Sequence, residues 1–523
     1  MRPPIWHPPI EPAPEEETVM RLIKRAKLFL FLREHRHEIF DEAFQEELSE
    51  IYRESKLGRP PVPPARLALA TILQAYSGVS DDEAMEAMVM DRRWQLVLDC
   101  MGANEPPFSK YTLVNFRKAL IEHDLDRRLV ERTVAVARRR RGFSSRRLRG
   151  ALDSSPLWGA GRVEDTYNLL GHALKKALGV IASQQGRGLA EVAEQAGASV
   201  VADPRSLKAA LDCDWDDAQE RAMALGRVLE ALDAVEEYLE RASGGEAEAQ
   251  IGIARRVREQ DVKETPGEAP ELIRGVARER LISVEDPQMR HGRKSKSARF
   301  RGYKRHVLRD LDTGLVRAVG LTPANAPEAT ATEEIARDLA HQEDAVLSEL
   351  HIDRAYLSSE LVRDRPQSME VYCKAWRVAN AGRYPKTAFA LDWERGLLRC
   401  PAGVSMPFEV GGVVRFPKKV CAACPLRARC TKSKNGGRSV SIHPDERLLE
   451  ELRERQQTPE GREKLRERVG VEHSLAHIGR WQGHRSRYRG VRKNLFDLRR
   501  SAVVHNLHVM ARMPDAREGD VAA

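Results

Sequence analysis

Leu350-His351-Ile352-Asp353-Arg354-Ala355-Tyr356 is the stretch from which the fold is read. A short apolar, β-prone run ends in an acid and turns at once into a helical segment, Tyr356-Leu357-Ser358-Ser359-Glu360, which places Asp353 at the rim of a sheet where a ligand can reach it. Asp153 has a similar setting in Leu148-Arg149-Gly150-Ala151-Leu152-Asp153-Ser154-Ser155-Pro156, a short segment stopped by its proline. Upstream of Asp353, strand-like sequence resumes near Leu281-Ile282-Ser283-Val284. Residues 302–309 and 315–321 then flank Asp310-Leu311-Asp312-Thr313-Gly314, a β-hairpin signal. A helix over 326–339 follows, then the strand to Asp353, another helix, and a strand over 369–373. That order predicts an α/β domain with a mixed sheet.

Residues 1–18 are rich in Pro and Glu and read as an extended tail. From Thr18 to about His123 the apolar residues recur at threes and fours, as in helices. Ser80 and Glu83 form a capping box after a helix over 65–76, and Ser109 opens a second helix whose polar residues Lys110, Asn115, Arg117 and Lys118 are candidates for DNA contact. Plain bundle packing is the competing reading of such a pair. Six arginines fall between 138 and 147, too dense for an ordinary solvated face, so Arg139 and Arg140 are assigned to phosphates. Residues 159–275 break the α/β pattern. They are Ala-, Glu- and Leu-rich, with Leu225, Leu229, Leu232, Val235 and Leu239 on one stripe of a helix over 218–242, and read as a helical insertion.

Composition narrows the function. The 523 residues carry 87 Lys+Arg against 78 Asp+Glu, and the excess is clustered, which favours a polyanionic partner over an acidic small molecule. No long uncharged apolar run and no secretory leader are found, so a cytoplasmic, nucleoid-associated protein with no membrane partner is expected. Four of the seven cysteines crowd together: Cys400, Cys421, Cys424 and Cys430. Four thiolates can close a tetrahedral zinc site, and Cys421-Ala422-Ala423-Cys424 supplies a pair able to chelate from one turn; buried free thiols are the alternative. Cys100, Cys213 and Cys373 are isolated.

At this point the chain resembles the bacterial insertion-sequence transposases of the DDE superfamily. The resemblance is carried by Leu152-Asp153-Ser154-Ser155, Gly302-Tyr303-Lys304-Arg305-His306, Thr322-Pro323-Ala324-Asn325-Ala326, Asp353-Arg354-Ala355-Tyr356 and Val471-Glu472-His473. The tail also matches, from Arg487-Tyr488-Arg489-Gly490 to His505-Asn506-Leu507, as do Gly58-Arg59-Pro60-Pro61, Ser80-Asp81, Trp94-Gln95 and Phe116-Arg117 near the start. It covers most of residues 20–512. What it implies is a ribonuclease-H-like α/β catalytic domain with a helical insertion, an all-α N-terminal DNA-binding domain and a small zinc-ribbon-like insertion, in a polynucleotidyl transferase that cuts and joins DNA. The divisions are 19–146 for the N-terminal domain, 147–399 with 446–512 for the catalytic domain, 400–445 for the cysteine-rich insertion and 513–523 for a flexible tail.

The chemistry explains the acids. Cleavage by water and joining by a 3′-hydroxyl are in-line displacements at phosphorus, which two Mg²⁺ or Mn²⁺ ions can promote, and hard cations take carboxylate ligands. Seventy-eight acids contain many such triples, so spacing alone selects none. Strand-end context singles out Asp153 and Asp353, and the resemblance implies Glu472, in a helix over 461–478, with Glu463 and Glu467 as the competing acids. Arg468 shares the face of Glu472 one turn earlier, within reach of its carboxylate or of a DNA phosphate. Family members often show a tyrosine and a lysine along this helix, where this chain has Leu465 and Gly479. Downstream, Arg480, Arg485, Arg487, Arg489, Arg492 and Lys493 interleave with Trp481 and Tyr488, a mixture suited to phosphates and base or sugar stacking, and Lys304 heads a similar strip. The resemblance also favours one structural zinc on the four cysteines and a homodimer on double-stranded DNA. Two other classes stay open: a transposase-derived DNA-binding regulator without catalysis, and a metal-dependent nuclease that does not join strands.

Overall fold

The computed structural model describes residues 2–52, 60–141, 147–203, 206–241, 245–275, 277–295, 297–342, 345–433 and 435–513. Gly58-Arg59, Arg146, Lys296 and nearly all of the expected C-terminal tail lie outside them.

One mixed sheet organises the molecule. Its strands are β1 (Leu148–Trp158), β2 (Arg290–Arg293), β3 (Arg299–Asp310), β4 (Val316–Pro323), β5 (Leu347–Ile352) and β6 (Glu370–Cys373). β3 runs antiparallel between β1 and β4, β1 pairs in parallel with β5 and β5 with β6, and β2 pairs with the first residues of β3. Both faces are covered, so the strands are apolar on both sides. Ala151, Leu157, Val307 and Val319 face one core, shared with helices Val469–Gln482 and Val491–Arg512 and with the N-terminal helices. Leu152, Leu308 and Ala318 face the other, beneath helices Ala331–Ala340 and Glu446–Arg455.

Pro156 does not stop β1, which continues to Trp158 with Pro156 opposite Lys304. Trp158 donates its N–H away from β3, to the His484 carbonyl at 2.9 Å, and Gly159 donates toward it. By alternation the missing N–H of Pro156 falls on the edge beyond the end of β5, where no ladder bond is lost. Residues 281–284 form no strand. Leu281, Ile282 and Val284 are buried, but their backbone is met by Gln260 and Glu164, so an irregular segment is satisfied without a ladder. The helix expected over 326–339 divides into a turn, Glu328–Thr330, and a helix, Ala331–Ala340; the one after Asp353 shrinks to Arg354–Tyr356 and Glu360–Arg363.

The first 18 residues are less of a tail than their composition suggests. A helix begins at Pro14, a residue suited to a first helical turn, and Trp6 is buried, its N–H on Gln45 Oε1 at 2.8 Å and the Arg36 guanidinium over its ring. Helices then run from Lys27–Ile39 to Leu125–Arg141, with the Ser80–Glu83 capping box and the Ser109 cap both formed. These helices are stitched to the C-terminal helix by buried charge. Arg499, 1% exposed, reaches Asp124 at 2.6 Å, Asp126 at 3.4 Å and Asp338 at 3.0 Å, while Arg492 pairs with Asp126 and Asn506 Nδ2 donates to Thr133 Oγ1 at 2.9 Å.

The insertion builds its own core from helices Thr166–Gln185, Ala218–Arg241 and Gly245–Asp261, and the predicted leucine and valine stripe is buried in it. Two small sheets, over 390–407 and 413–441, enclose a separate core of Phe389, Leu398, Val414, Phe416, Val440 and Ile442. Among the described residues no helix is long and apolar enough to cross a membrane.

Candidate active site

β1 and β5 are parallel neighbours in a register that pairs Leu152 with Ile352, so the next residues, Asp153 and Asp353, leave adjacent strands side by side. Asp353 then caps the turn Arg354–Tyr356, its Oδ1 accepting the Arg354 N–H at 2.6 Å, and is exposed. Glu472 comes from across the cleft. The helix predicted over 461–478 is two helices, Pro459–Glu467 and Val469–Gln482, parted at Arg468. Gly470 lets the second lie close on β3: its carbonyl accepts from Arg309 at 2.8 Å, and a Cβ there would stand 3.3 Å from Arg309 Nε.

From the break, Arg468 joins two of the acids. Its Nη1 donates to Asp153 Oδ2 at 2.5 Å and its Nη2 to Glu472 Oε1 at 3.0 Å. Asp153, Asp353, Glu472, Lys304, Arg468 and Arg480 line one open cleft of about 840 Å³. The Asp153 side chain is only 16% exposed, and burial pushes its carboxyl above the usual range, although the Arg468 charge pulls the other way. Asp153, Asp353 and Glu472, with Glu328 beside them, give the cleft a hard-oxygen donor set of the kind a divalent cation takes, although the oxygens of the three do not all lie within 4.8 Å of one another, so holding one ion requires them to draw together. Of the competing acids, Glu463 does not line this cleft and Glu467 turns to Arg149 on the other side of the helix break.

Sequence reading missed the group around Glu467. Ligand atoms of Glu349, His351 and Glu467 lie within 4.8 Å of one another. Lys464 reaches Glu349 at 3.0 Å, and Arg149 bonds to Glu349 and Glu467. Burial pushes the Glu349 carboxyl up, but hydrogen bonds from Lys464, His351 and Arg149 outweigh it and hold it at about 2. Two cations already neutralise these acids, so the group is an ion-pair network beneath the sheet. Its signal in sequence was the alternation of Glu349 and His351 on the strand that ends in Asp353.

The assigned phosphate contacts divide into free and occupied side chains. Lys304, which donates to the Ala326 carbonyl and stands 3.7 Å from the Glu328 carboxylate, lines the acid cleft with Arg468 and Arg480. Asn115, Lys118 and Lys493 are exposed, and Lys110 is exposed beside Asp82. Arg117 is buried on Asp81 and Gln74 and holds two helices together, so it is corrected to a structural residue. Arg492 is engaged by Asp124 and Asp126, and Arg485, itself exposed, donates to the Gly159 and Ala160 carbonyls. Arg487 donates to the Trp481 carbonyl and Arg489 pairs with Glu285, while Tyr488 packs on Phe496 under Arg500. Arg139 pairs with Asp41 at the surface, and Arg140 lies near Glu38 and over Phe31. Most of the acids that these arginines meet lie tens to hundreds of residues away, so a local window shows the cations without their partners.

Cys400, Cys421, Cys424 and Cys430 all line one cavity of about 210 Å³, and burial raises the Cys430 thiol, with the other three sulfurs adding to it. None of the four is joined in a disulfide. No three of the sulfurs come within 4.8 Å of one another, against about 3.8 Å in a tetrahedral zinc site, so metal binding requires the loops to draw together.

Comparison with known families fits this architecture. A profile described as Transposase domain (DUF772) matches residues 19–119, and two described as Transposase DDE domain match 276–384 and 399–511. No curated protein and no solved structure matches the chain. The chain belongs to the insertion-sequence DDE transposases. DDE domains carry the ribonuclease-H-like fold, act on DNA and depend on a divalent metal, and the mixed sheet described above suits that fold. Asp353 and Glu472 fall inside the matched segments. Asp153 and the helical insertion do not.

Proposed function

We propose that this transposase binds the terminal inverted repeats of its own element, cuts the DNA ends and joins them to a target, with Asp153, Asp353 and Glu472 as metal ligands. The observation that carries this reading is the β1–β5 register, which sets Asp153 beside Asp353, together with the Arg468 clamp that brings Glu472 to Asp153. Asp153, Asp353 and Glu472 would hold Mg²⁺ or Mn²⁺, which would supply activation of the attacking oxygen and neutralisation of the leaving one. The chain's own residues prepare for that. Arg468 holds two like-charged acids close by placing a guanidinium between them, and Lys304 and Arg480 offer positive charge to a phosphodiester entering the cleft. Exposed Lys110, Asn115 and Lys118 remain the helical unit's candidates for the terminal repeat, and joining two ends calls for at least a dimer on DNA. Incubating the protein and Mg²⁺ with DNA from its genomic flanks, then sequencing the products, tests the whole reading: joined strands support it, hydrolysis alone indicates a nuclease, and intact DNA under stable binding indicates a regulator.

Affinity should be strongly salt-dependent. With several free cations on phosphates, the dissociation constant is expected to rise by about 10³-fold between about 50 and 200 mM salt. A flat salt response in a filter-binding titration contradicts the assigned contacts.

The cysteine cluster takes one structural zinc in this reading. Soft thiolates hold Zn²⁺ far more tightly than Mg²⁺, and a closed four-sulfur site has no open position for substrate. Protein purified without added metal should contain about one equivalent of zinc, and Cys424→Ser should destabilise residues 400–445 and lower activity without rescue by Mg²⁺. Less than about a tenth of an equivalent in active protein leaves these residues as ordinary thiols.

A further inference from the structure

Beside the acid cleft lies a second one of about 740 Å³, walled by β2, the start of β3 and residues 277–280 at the foot of the insertion. The two are continuous, sharing Trp158, Arg293, Phe300 and Lys304. The cations here differ from those of the C-terminal segment. Arg278, Arg293, Arg299 and Arg301 are exposed and form no ion pair among the described residues, whereas Arg487, Arg489 and Arg492 all face acids. Arg280 is the exception, tied to Asp261, and the nearby Glu279 is engaged by Asn325 and Arg290. Like charges gathered on one wall repel, a cost that a polyanion relieves on binding. His291 lies among them, its imidazole held below the usual range by burial and then by Arg301, Arg280 and Arg299.

At the junction stands Trp158, five residues after Asp153. Its side chain leaves 45% of the residue in solvent, edge-on to Phe300 with ring centroids 6.5 Å apart. The backbone beneath it is pinned: the N–H goes to His484, and the carbonyl accepts the Ser486 N–H at 2.7 Å. An indole on a fixed strand end, flanked by unpaired arginines, combines the two parts of a single-strand site, a stacking platform and a cationic track. Spaces of this size take small ligands, and a duplex keeps its base faces inside its own stack.

The geometry points to the second cleft as the seat of a single DNA strand that continues into the acid cleft, with its phosphates on Arg293, Arg299 and Arg301 and one base stacked on Trp158. This deepens the transposase reading and rests on it. The probe is a single-stranded oligothymidylate of about ten nucleotides carrying one 5-iodouracil, compared with a duplex of equal length. On the wild-type protein, irradiation should crosslink the single strand to Trp158, mapped by mass spectrometry. Trp158→Ala should weaken single-strand binding about tenfold and Trp158→Phe less than about threefold, while the double change Arg299→Gln and Arg301→Gln lowers the single-strand salt slope by about 1.4. If the protein binds no DNA of either kind, the transposase reading itself fails. If it cuts duplex element ends while the crosslink maps elsewhere and Trp158→Ala binds as wild type does, only the single-strand cleft is overturned. The crosslink is read on unaltered protein, so this outcome does not depend on how any variant folds.

Discussion

Asp153→Asn, Asp353→Asn and Glu472→Gln should each lower strand cleavage by at least about 10³-fold, because metal-assisted phosphoryl transfer loses several kcal/mol of transition-state stabilisation with one ligand. DNA affinity should stay within about threefold of wild type, since none of the three supplies a positive charge to phosphate. Arg468→Met separates the clamp from the acids. Arg468 pulls the Asp153 carboxyl down against its burial, so removing it lets that carboxyl rise further and protonate at higher pH. The expected result is an activity profile displaced to higher pH, with partial recovery in alkaline buffer. Cleavage assays on a labelled element end, run across pH, check both statements. A triad variant that cuts at near wild-type rate removes that acid from the ligand set.

Stability should fall steeply on mild acidification. His306 is wholly buried between the Tyr356 hydroxyl at 2.7 Å and Thr322 Oγ1 at 3.0 Å, and burial holds its imidazole down at about 3. His477, His505 and His508 cluster between the Glu472 helix and the C-terminal helix, each held at about 4 by burial, with neighbouring cationic groups adding to it and, at His505, the Gly314 carbonyl pulling the other way. In the unfolded chain these groups titrate near 6.5, so below that pH the unfolded state binds protons that the native state refuses. The stabilisation is therefore complete above about pH 6.5 and is lost as the pH falls toward the native values. For the two almost fully buried rings, His306 and His505, the loss between roughly pH 6.5 and 5 is about 1.5 kcal/mol each. Asp338, pushed up to about 6 by burial, opposes part of this, since its protonation favours the native state. Urea unfolding at several pH values measures the sum. A midpoint that does not move between about pH 7 and 5 refutes it, and His505→Asn should flatten the slope.

Much of the fold was legible because its signals are local. A β-prone run ending in Asp353, the 310–314 turn between two β-rich segments, and the Ser80–Glu83 box each declare themselves within ten residues, and each forms as read. The misreadings have one physical source. Whether Pro156 ends a strand depends on which edge has a neighbour, and whether residues 281–284 need a ladder depends on Gln260 and Glu164 reaching them. The arginines are the sharpest instance. Arg492 and Asp126 lie 366 positions apart, so no window shows that one neutralises the other. Conversely, the cations left without partners, Arg293, Arg299 and Arg301, looked no different in sequence from those that are spoken for. Glu472 needed the family resemblance, since only the bent approach of its helix brings it to Asp153.

Arg499 sits at a crossing of three segments, with Asp124 and Asp126 from the N-terminal helices, Asp338 from the helix over the sheet, and its own helix at the chain's end. A charge enclosed so completely does not let one segment swing while the others stay, because parting them strands an ion in a dry interior at a cost of about 3–5 kcal/mol. In the transposase reading this turns the molecule into a ruler. The unit that would grip the terminal sequence and the pocket that would cut are parts of one frame, so the scissile bond lies at a fixed offset along the double helix. Each extra base pair advances the backbone by about 3.4 Å and turns it by about a tenth of a revolution, and a frame without a joint follows neither displacement.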